Sequence, residues 1–261
     1  MTKLRRLDLE LTKRGLARSR SDAREMIEAG HVLVNGFVNA KPTSQVDENT
    51  SISVDEPKIK YVSRGAAKLL SALGELDISI SGKICLDAGA STGGFVQVLL
   101  ERGAKKIYAV DVGYGQLAWR LQQDNRVVIM DRTNVKNLSA SDLPELVDLI
   151  TADLSFISLK TVLPAFTAIA KPEAEMLLMV KPQFEVGKSD VGRGVVRSLQ
   201  LRQQAVLSVV AAAKDLAWVA VGAVESKVHG PSGNREFFLH LARNGAELSL
   251  DQISQRLSEE F

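Results

Sequence analysis

The sequence predicts an α/β protein: a mostly parallel sheet covered by helices on both faces and closed by an antiparallel last strand, with a small α+β domain ahead of it. Three observations predict this. From Lys83 onward, short apolar runs alternate with helical stretches, the pattern of strands buried between two helical layers. Ile84 to Phe95 reads as strand, glycine-rich loop and helix start, the usual opening of a nucleotide-type site. Before Asp55, two short amphipathic stretches precede β-rich runs broken by Asn35-Gly36, a strong hairpin signal.

With 261 residues the chain has room for a small domain and a medium one. Hydrophobic residues make up 45% and charged residues 25%, which excludes the low-apolar signature of disorder. Thirty-three Lys and Arg against 31 Asp and Glu leave a net charge of +2, so attraction to a polyanion has to come from charge distribution. The one cysteine, Cys85, excludes an intramolecular disulfide framework and a Cys-x-x-Cys metal knuckle, and a reducing, cytoplasmic address is expected. Met1 to Asp8 carries basic residues with no apolar core behind them, so no secretory signal is expected. The runs Met176–Val180 and Val206–Ala213 are too short to span a bilayer, for which about 20 apolar residues are needed.

In the first segment, Leu4, Leu7 and Leu11, then Ala23, Met26 and Ile27, recur at helical spacing, broken around Gly15, with Ser19 or Ser21 as N-cap. Strand-like runs follow as far as Ile52–Val54. Between Lys3 and Arg24 basic residues exceed acidic ones by five, an electrostatic footprint suited to a phosphate backbone. Taken singly, each arginine is more often simply part of a solvated helix face; the cluster is what points to phosphate. Arg6-Leu7-Asp8, Ala17 to Ala23, Ile27 to Gly30, Val32-Leu33-Val34-Asn35-Gly36 and Lys41-Pro42 together resemble the S-four-type RNA-binding domain. That resemblance makes Arg5, Arg6, Arg14, Arg18, Arg20, Arg24 and Lys41 candidate contacts to structured RNA.

The polar, proline-containing stretch Asp55–Lys58 marks a boundary: domain 1–58, linker 59–62, domain 63–261. In the second domain, strands are expected at Ile84–Asp87, Ile107–Asp111, Val127–Met130, Leu146–Ala152 and Met176–Val180. Helices are expected from Gly93, near Leu117, from Leu159 and from Leu199, with Trp218–Glu225 and Glu236–Leu241 forming a final antiparallel pair. This arrangement resembles the Rossmann-like methyltransferase sheet, whose ligands sit at the carboxyl ends of the strands beside the topological switch point.

The loop Gly89-Ala90-Ser91-Thr92-Gly93-Gly94-Phe95 does not have the Gly-x-Gly-x-x-Gly spacing of a dinucleotide dehydrogenase. Asp87, directly before it, suits a cationic ligand better than a pyrophosphate. S-adenosylmethionine, with its sulfonium and ammonium, is such a ligand, and Asp111 at the end of the second strand is placed to accept from ribose hydroxyls. Asp131 and Arg132 resemble the methyltransferase stretch beside the adenine.

Lys68, Asp153, Lys181 and Glu236 fall where this sheet would gather them. They resemble the lysine-aspartate-lysine-glutamate tetrad of FtsJ-like RNA ribose 2'-O-methyltransferases, and nearly the whole chain resembles the TlyA family, historically labelled hemolysins. The resemblance implies methyl transfer to a cytidine 2'-hydroxyl of ribosomal RNA in a ribosomal subunit, with Lys181 acting as base or as a cation beside the forming alkoxide. The stretch Lys60-Tyr61-Val62 lacks the tryptophan expected in that family. Arg64 and two glycine-rich basic tracts, Gly187–Arg197 with Lys188 and Arg193, and Lys227–Arg235, are candidate substrate-contacting segments. His31, His229 and His240 lack ligand spacing, so no metal is expected. The alternatives are a membrane-lytic toxin and a non-catalytic ribosome-assembly protein; the oligomeric state has no sequence signal.

Overall fold

The computed structural model describes residues 4–17, 19–28, 30–38, 41–54, 61–187, 191, 194–230 and 232–258; Arg18, Lys188 and Arg193 lie outside the described residues. The chain divides into two units, Met1–Lys60 and Tyr61–Phe261. Tyr61 and Val62, assigned to a linker on sequence, pack against the core of the second unit, and Val62 N donates to Gln97 Oε1 at 2.9 Å.

In the first unit, β1 (Arg5–Arg6) leads directly into α1 (Leu7–Lys13), and α2 (Arg20–Glu28) follows the break around Gly15. Ser19 is the cap of α2: its Oγ accepts from Asp22 N at 3.2 Å. Next come β2 (Val32–Val34), β3 (Phe37–Val38), β4 (Gln45–Val46) and β5 (Ile52–Val54). Asn35 and Gly36 both take positive φ, 53° and 84°, as a two-residue hairpin turn between β2 and β3 requires. β2 pairs with both β3 and β5, while β1 pairs with β4. Leu7, Leu11, Ala23, Ile27, Val32 and Val46 form the core.

The second unit is built on a seven-stranded sheet. Its elements are α3 (Gly65–Leu73), β6 (Ile84–Ala88), α4 (Gly94–Glu101), β7 (Lys106–Val110), α5 (Trp119–Gln122), β8 (Val127–Met130) and β9 (Val147–Ala152). They continue with α6 (Leu159–Ile169), β10 (Ala170–Val180), α7 (Pro182–Glu185), α8 (Leu199–Lys214), β11 (Val219–Glu225), β12 (Phe237–Ala242) and α9 (Leu250–Arg256). The spatial order is β11-β12-β10-β9-β6-β7-β8, and only β12 runs against its neighbours.

Both faces of this sheet are buried, which explains why its strands read as continuous apolar runs. Ile84, Leu86 and Ala88 of β6 face one cluster with α6 and α8, while Cys85 faces the other with α3 and α4, the two-residue period of a strand. Ile253 of the last helix and Leu257, which caps it, complete the first cluster beside β11. Two boundaries differ from expectation. β10 starts at Ala170 instead of Met176, directly from α6, because a register shift between Ala170 and Glu175 absorbs the polar residues there. The helix near Leu117 is a single turn from Trp119.

Because β7 and β9 flank β6, the chain leaves β6 in one direction and returns on its other side. The crevice at the carboxyl ends of β6 and β9 is therefore the position where such sheets hold ligands.

Candidate active site

A cavity of about 510 Å³ opens there, within the range of small-molecule sites. Gly89, Ser91, Val110, Asp111, Asp153 and Leu154 are among its walls, with Thr133, Asn134, Ser155 and Phe156 further round. Asp111 follows the last residue of β7, and two backbone N–H groups hold its carboxylate: Ser91 N at 2.8 Å from Oδ2 and Gly113 N at 2.7 Å from Oδ1. Each oxygen keeps a further lone pair for a ligand hydroxyl.

The glycine loop is built for packing as much as for ligand approach. A Cβ on Gly93 would sit 2.3 Å from Leu121 Cδ1, and one on Gly94 would sit 2.9 Å from Ala66 N. These two residues seat α4 against its neighbours and do not line the cavity. Phe95 is likewise in the core, stacked on Phe238 with ring centroids 6.0 Å apart. Thr92 O accepts from Ala118 N, and Thr92 is not a wall residue. Gly89 is different: it lines the cavity at φ 83°, and a Cβ there would lie 2.8 Å from Asp153 O.

Asp131 and Arg132 do not line the cavity; Thr133 and Asn134, directly after them, do. Asp131 accepts from Gly115 N at 2.8 Å, and the Arg132 guanidinium lies over the Tyr114 ring at 4.3 Å. Ser91, Arg132 and Phe156 all take positive φ, 46°, 53° and 65°. Left-handed backbone at non-glycine residues costs energy, and here it gathers around one crevice.

Asp87, the fourth residue of β6, is 1% exposed. One carboxyl oxygen accepts from Thr151 Oγ1 at 2.8 Å; the other, Oδ2, is buried without a partner. Burial pushes its pKa up to about 7 against the Thr151 hydrogen bond, and the negative charges of Asp153 and Asp111 push the same way. A buried carboxyl short of a partner beside a cavity with two more carboxylates fits a ligand carrying positive charge and ribose hydroxyls. The residues present therefore fit S-adenosylmethionine.

The four charged residues expected to converge form two pairs, Lys68–Glu236 buried and Lys181–Asp153 with its carboxylate partly exposed. Lys68 on α3 places Nζ 2.5 Å from Glu236 Oε2, just ahead of β12, and 3.8 Å from Met179 Sδ. Lys181, directly after β10, places Nζ 2.6 Å from Asp153 Oδ1. That contact is an ion pair without hydrogen-bond alignment. The aligned acceptor of Lys181 is Ser155 Oγ at 3.0 Å. β10 and β12 end their ladder at Val180 opposite Phe237, so Lys181 and Glu236 leave adjoining strands at the same edge. Asp153 N donates to Ala88 O at 3.0 Å, which keeps its pair at the mouth of β6. Ser155 did not emerge from the sequence. Its signal is the Asp153-x-Ser155 spacing, since alternate residues of an extended chain share a side.

The expected RNA contacts of the first unit hold buried acids. Asp8, fully buried, takes Arg6 at 2.9 Å, Arg20 at 3.0 Å and Arg24 at 3.3 Å. Glu10 takes Arg5 at 3.0 Å and Arg14 at 2.9 Å. Arg14 also donates to Thr50 O and Asp47 O, both at 2.8 Å, so its guanidinium is a scaffold group. Arg20 and Arg24 keep half of their side-chain surface exposed and retain donors for a phosphate. Lys41 and Arg64 are exposed. Among the described residues, no helix is long and apolar enough to cross a membrane, and no three His, Cys, Asp or Glu side chains group as metal ligands.

Residues 61–243 match the FtsJ-like methyltransferase family and residues 5–52 match the S4 domain. The 16S/23S rRNA (cytidine-2'-O)-methyltransferase TlyA of Mycobacterium tuberculosis is 51% identical to this chain, covering 92% of it and 91% of the relative. The 23S rRNA (cytidine-2'-O)-methyltransferase TlyA of Campylobacter jejuni is 36% identical, covering 92% of this chain and all of the relative. A solved structure from Streptococcus thermophilus, titled as a hemolysin, superposes with a TM-score of 0.77 at 36% identity, covering 99% of this chain and 96% of that one.

Proposed function

Since this chain belongs to the FtsJ-like methyltransferase family, with an S4 domain at its N-terminal side, we propose that it methylates the 2'-hydroxyl of a cytidine in ribosomal RNA, using S-adenosylmethionine. The reading rests on one observation: two lysine-carboxylate pairs, one buried and one partly open to the cavity, stand at the edge of the sheet where the cavity opens. Bound there, S-adenosylmethionine supplies a methyl group already activated by its sulfonium.

Asp111 holds ribose hydroxyls, while Val110, Val135 and Leu154 give apolar walls for an adenine. Asp153 brings negative charge to the cationic end, and the positive charge of the ligand favours the ionised form of Asp87, whose pKa burial raises. Holding the acceptor oxygen in line is the larger part of the catalytic task, because proximity and orientation replace a bimolecular encounter. Lys181 takes or shares the proton of the 2'-hydroxyl and meets the developing negative charge on its oxygen. Asp153 fixes the Lys181 amine, and Glu236 fixes that of Lys68. Arg20, Arg24, Lys41 and Arg64 supply phosphate contacts that position the RNA without reading its sequence, and Lys188 and Arg193 are assigned the same task. The protein acts in the cytoplasm, where its substrate is made.

The test is tritium transfer from labelled S-adenosylmethionine to ribosomal RNA, followed by mass spectrometry of the nucleosides. 2'-O-methylcytidine made by the wild type and lost in Lys181→Ala, with calorimetric cofactor affinity retained, is the expected result. Lys181→Ala activity near wild type would refute the assigned role, and a product other than 2'-O-methylcytidine would refute the reaction.

A further inference from the structure

We propose that Ser155 is the positioning residue that aims Lys181 at the substrate oxygen. The inference rests on the reading of Lys181 above and adds to it a fifth member of the site.

Nζ of a lysine is tetrahedral. One of its four directions is the bond to Cε and one is taken by the aligned hydrogen bond to Ser155 Oγ at 3.0 Å, while Asp153 Oδ1 lies 2.6 Å away, out of alignment. Among the described residues no other group bonds to Lys181 Nζ, so a direction remains for the substrate. In the amine that direction holds the lone pair that takes the hydroxyl proton; in the ammonium it holds the N–H that meets the alkoxide. The two neighbours do different work. The Asp153 contact is short but misaligned, so it fixes distance through charge. An ammonium behaves as a point charge on a flexible stem, and Coulomb attraction alone leaves it free to swivel. The aligned hydrogen bond to Ser155 fixes direction.

Ser155 is itself held in place. Its loop is clasped to the segment after Lys181 by Glu185, which accepts from Ser158 Oγ at 2.5 Å and from Leu159 N at 2.7 Å. Phe156 meets Phe184 across the same junction with ring centroids 5.2 Å apart. The hydroxyl and the amine are thus carried by two segments bound to one another, and Ser155 also forms part of the cavity wall.

The full chain is assayed on ribosomal RNA or subunits lacking the modification, with Ser155→Ala, Ser155→Thr and Lys181→Ala side by side. Ser155→Ala is expected to lower kcat by about 10- to 100-fold, the usual range for a hydrogen bond to a charged group. KM for RNA and calorimetric affinity for S-adenosylmethionine should stay within about twofold of wild type. Ser155→Thr, which restores the hydroxyl, is expected to recover most of kcat. A kcat for Ser155→Ala within twofold of wild type overturns the proposal, as does Ser155→Thr no faster than Ser155→Ala. A loss confined to cofactor affinity also overturns it, because it would make Ser155 a wall residue. The underlying reading fails separately, by an active Lys181→Ala.

Discussion

Lys68 Nζ and Glu236 Oε2 lie 2.5 Å apart although 168 positions separate them in the chain, and both residues are almost wholly buried. Removing one partner strands the other charge in the interior, at a cost of about 3–5 kcal/mol, whereas replacing both by apolar groups is often neutral. Glu236→Ala should therefore lose stability on that scale, and Lys68→Met with Glu236→Leu should regain most of it. Methyl transfer should be lost in both. Urea denaturation beside the transfer assay checks this; activity in the stable double variant would remove the pair from the site.

Asp87 should make the second unit more stable in weak acid than in weak base. Its folded pKa of about 7 lies above the ordinary 3.8, so between these values the folded state holds a proton that the unfolded state has released. Stability then falls as pH rises through that window. Asp87→Asn should flatten this slope, raise the melting temperature at pH 8 and weaken S-adenosylmethionine binding. Melting curves from pH 4 to pH 8 decide it: an unchanged slope would mean that Asp87 is ionised throughout.

Gly89→Ala tests the loop. The added Cβ meets Asp153 O at 2.8 Å, with φ at 83°, so strain and displacement of Asp153 come together. A loss of about 1–3 kcal/mol of stability and a larger proportional loss of kcat/KM are expected. Unaltered kinetics would show that Asp153 tolerates the shift.

In the first unit, burial raises the pKa of Asp8, but hydrogen bonds from Arg6 and Arg20 and the charges of both outweigh it, and the net is a fall from 3.8 to about 2. A depressed carboxyl pKa stabilises the fold above the unfolded value, and the contribution is lost as pH falls through the folded one. Amide exchange over residues 5–52 of the full chain should therefore accelerate between pH 4 and pH 2. Asp8→Asn should show faster exchange already at neutral pH. Identical protection in the variant would mean that the three guanidiniums hold the unit without their acid.

Much of the fold was legible because its signals are local. Asn35-Gly36 gives the hairpin through its backbone preference, and the apolar runs at β6, β7 and β9 give the parallel sheet through burial on both faces. What escaped depends on neighbours distant in sequence. Gly93 and Gly94 are packing residues because of Leu117, Leu121, Ser63 and Ala66. The convergence of Arg20 and Arg24 on Asp8 needs α1 and α2 laid together, so the excess of charge was readable while its internal neutralisation was not. Arg132 sits one residue outside the cavity for a similar reason: the loop returns through Tyr114.

The reversed direction of β12 has a consequence for synthesis. The parallel strands finish at the edge where the cavity opens, but β12 starts there, which is how Glu236 reaches Lys68 from the far end of the chain. Every residue of the cavity wall has been translated by Ile157, whereas the Lys68 amine has no counter-charge until Glu236 emerges from the exit tunnel. The whole cavity wall is thus encoded within residues 89–157, whereas the second lysine-carboxylate pair closes only with a residue nearly 80 positions further on.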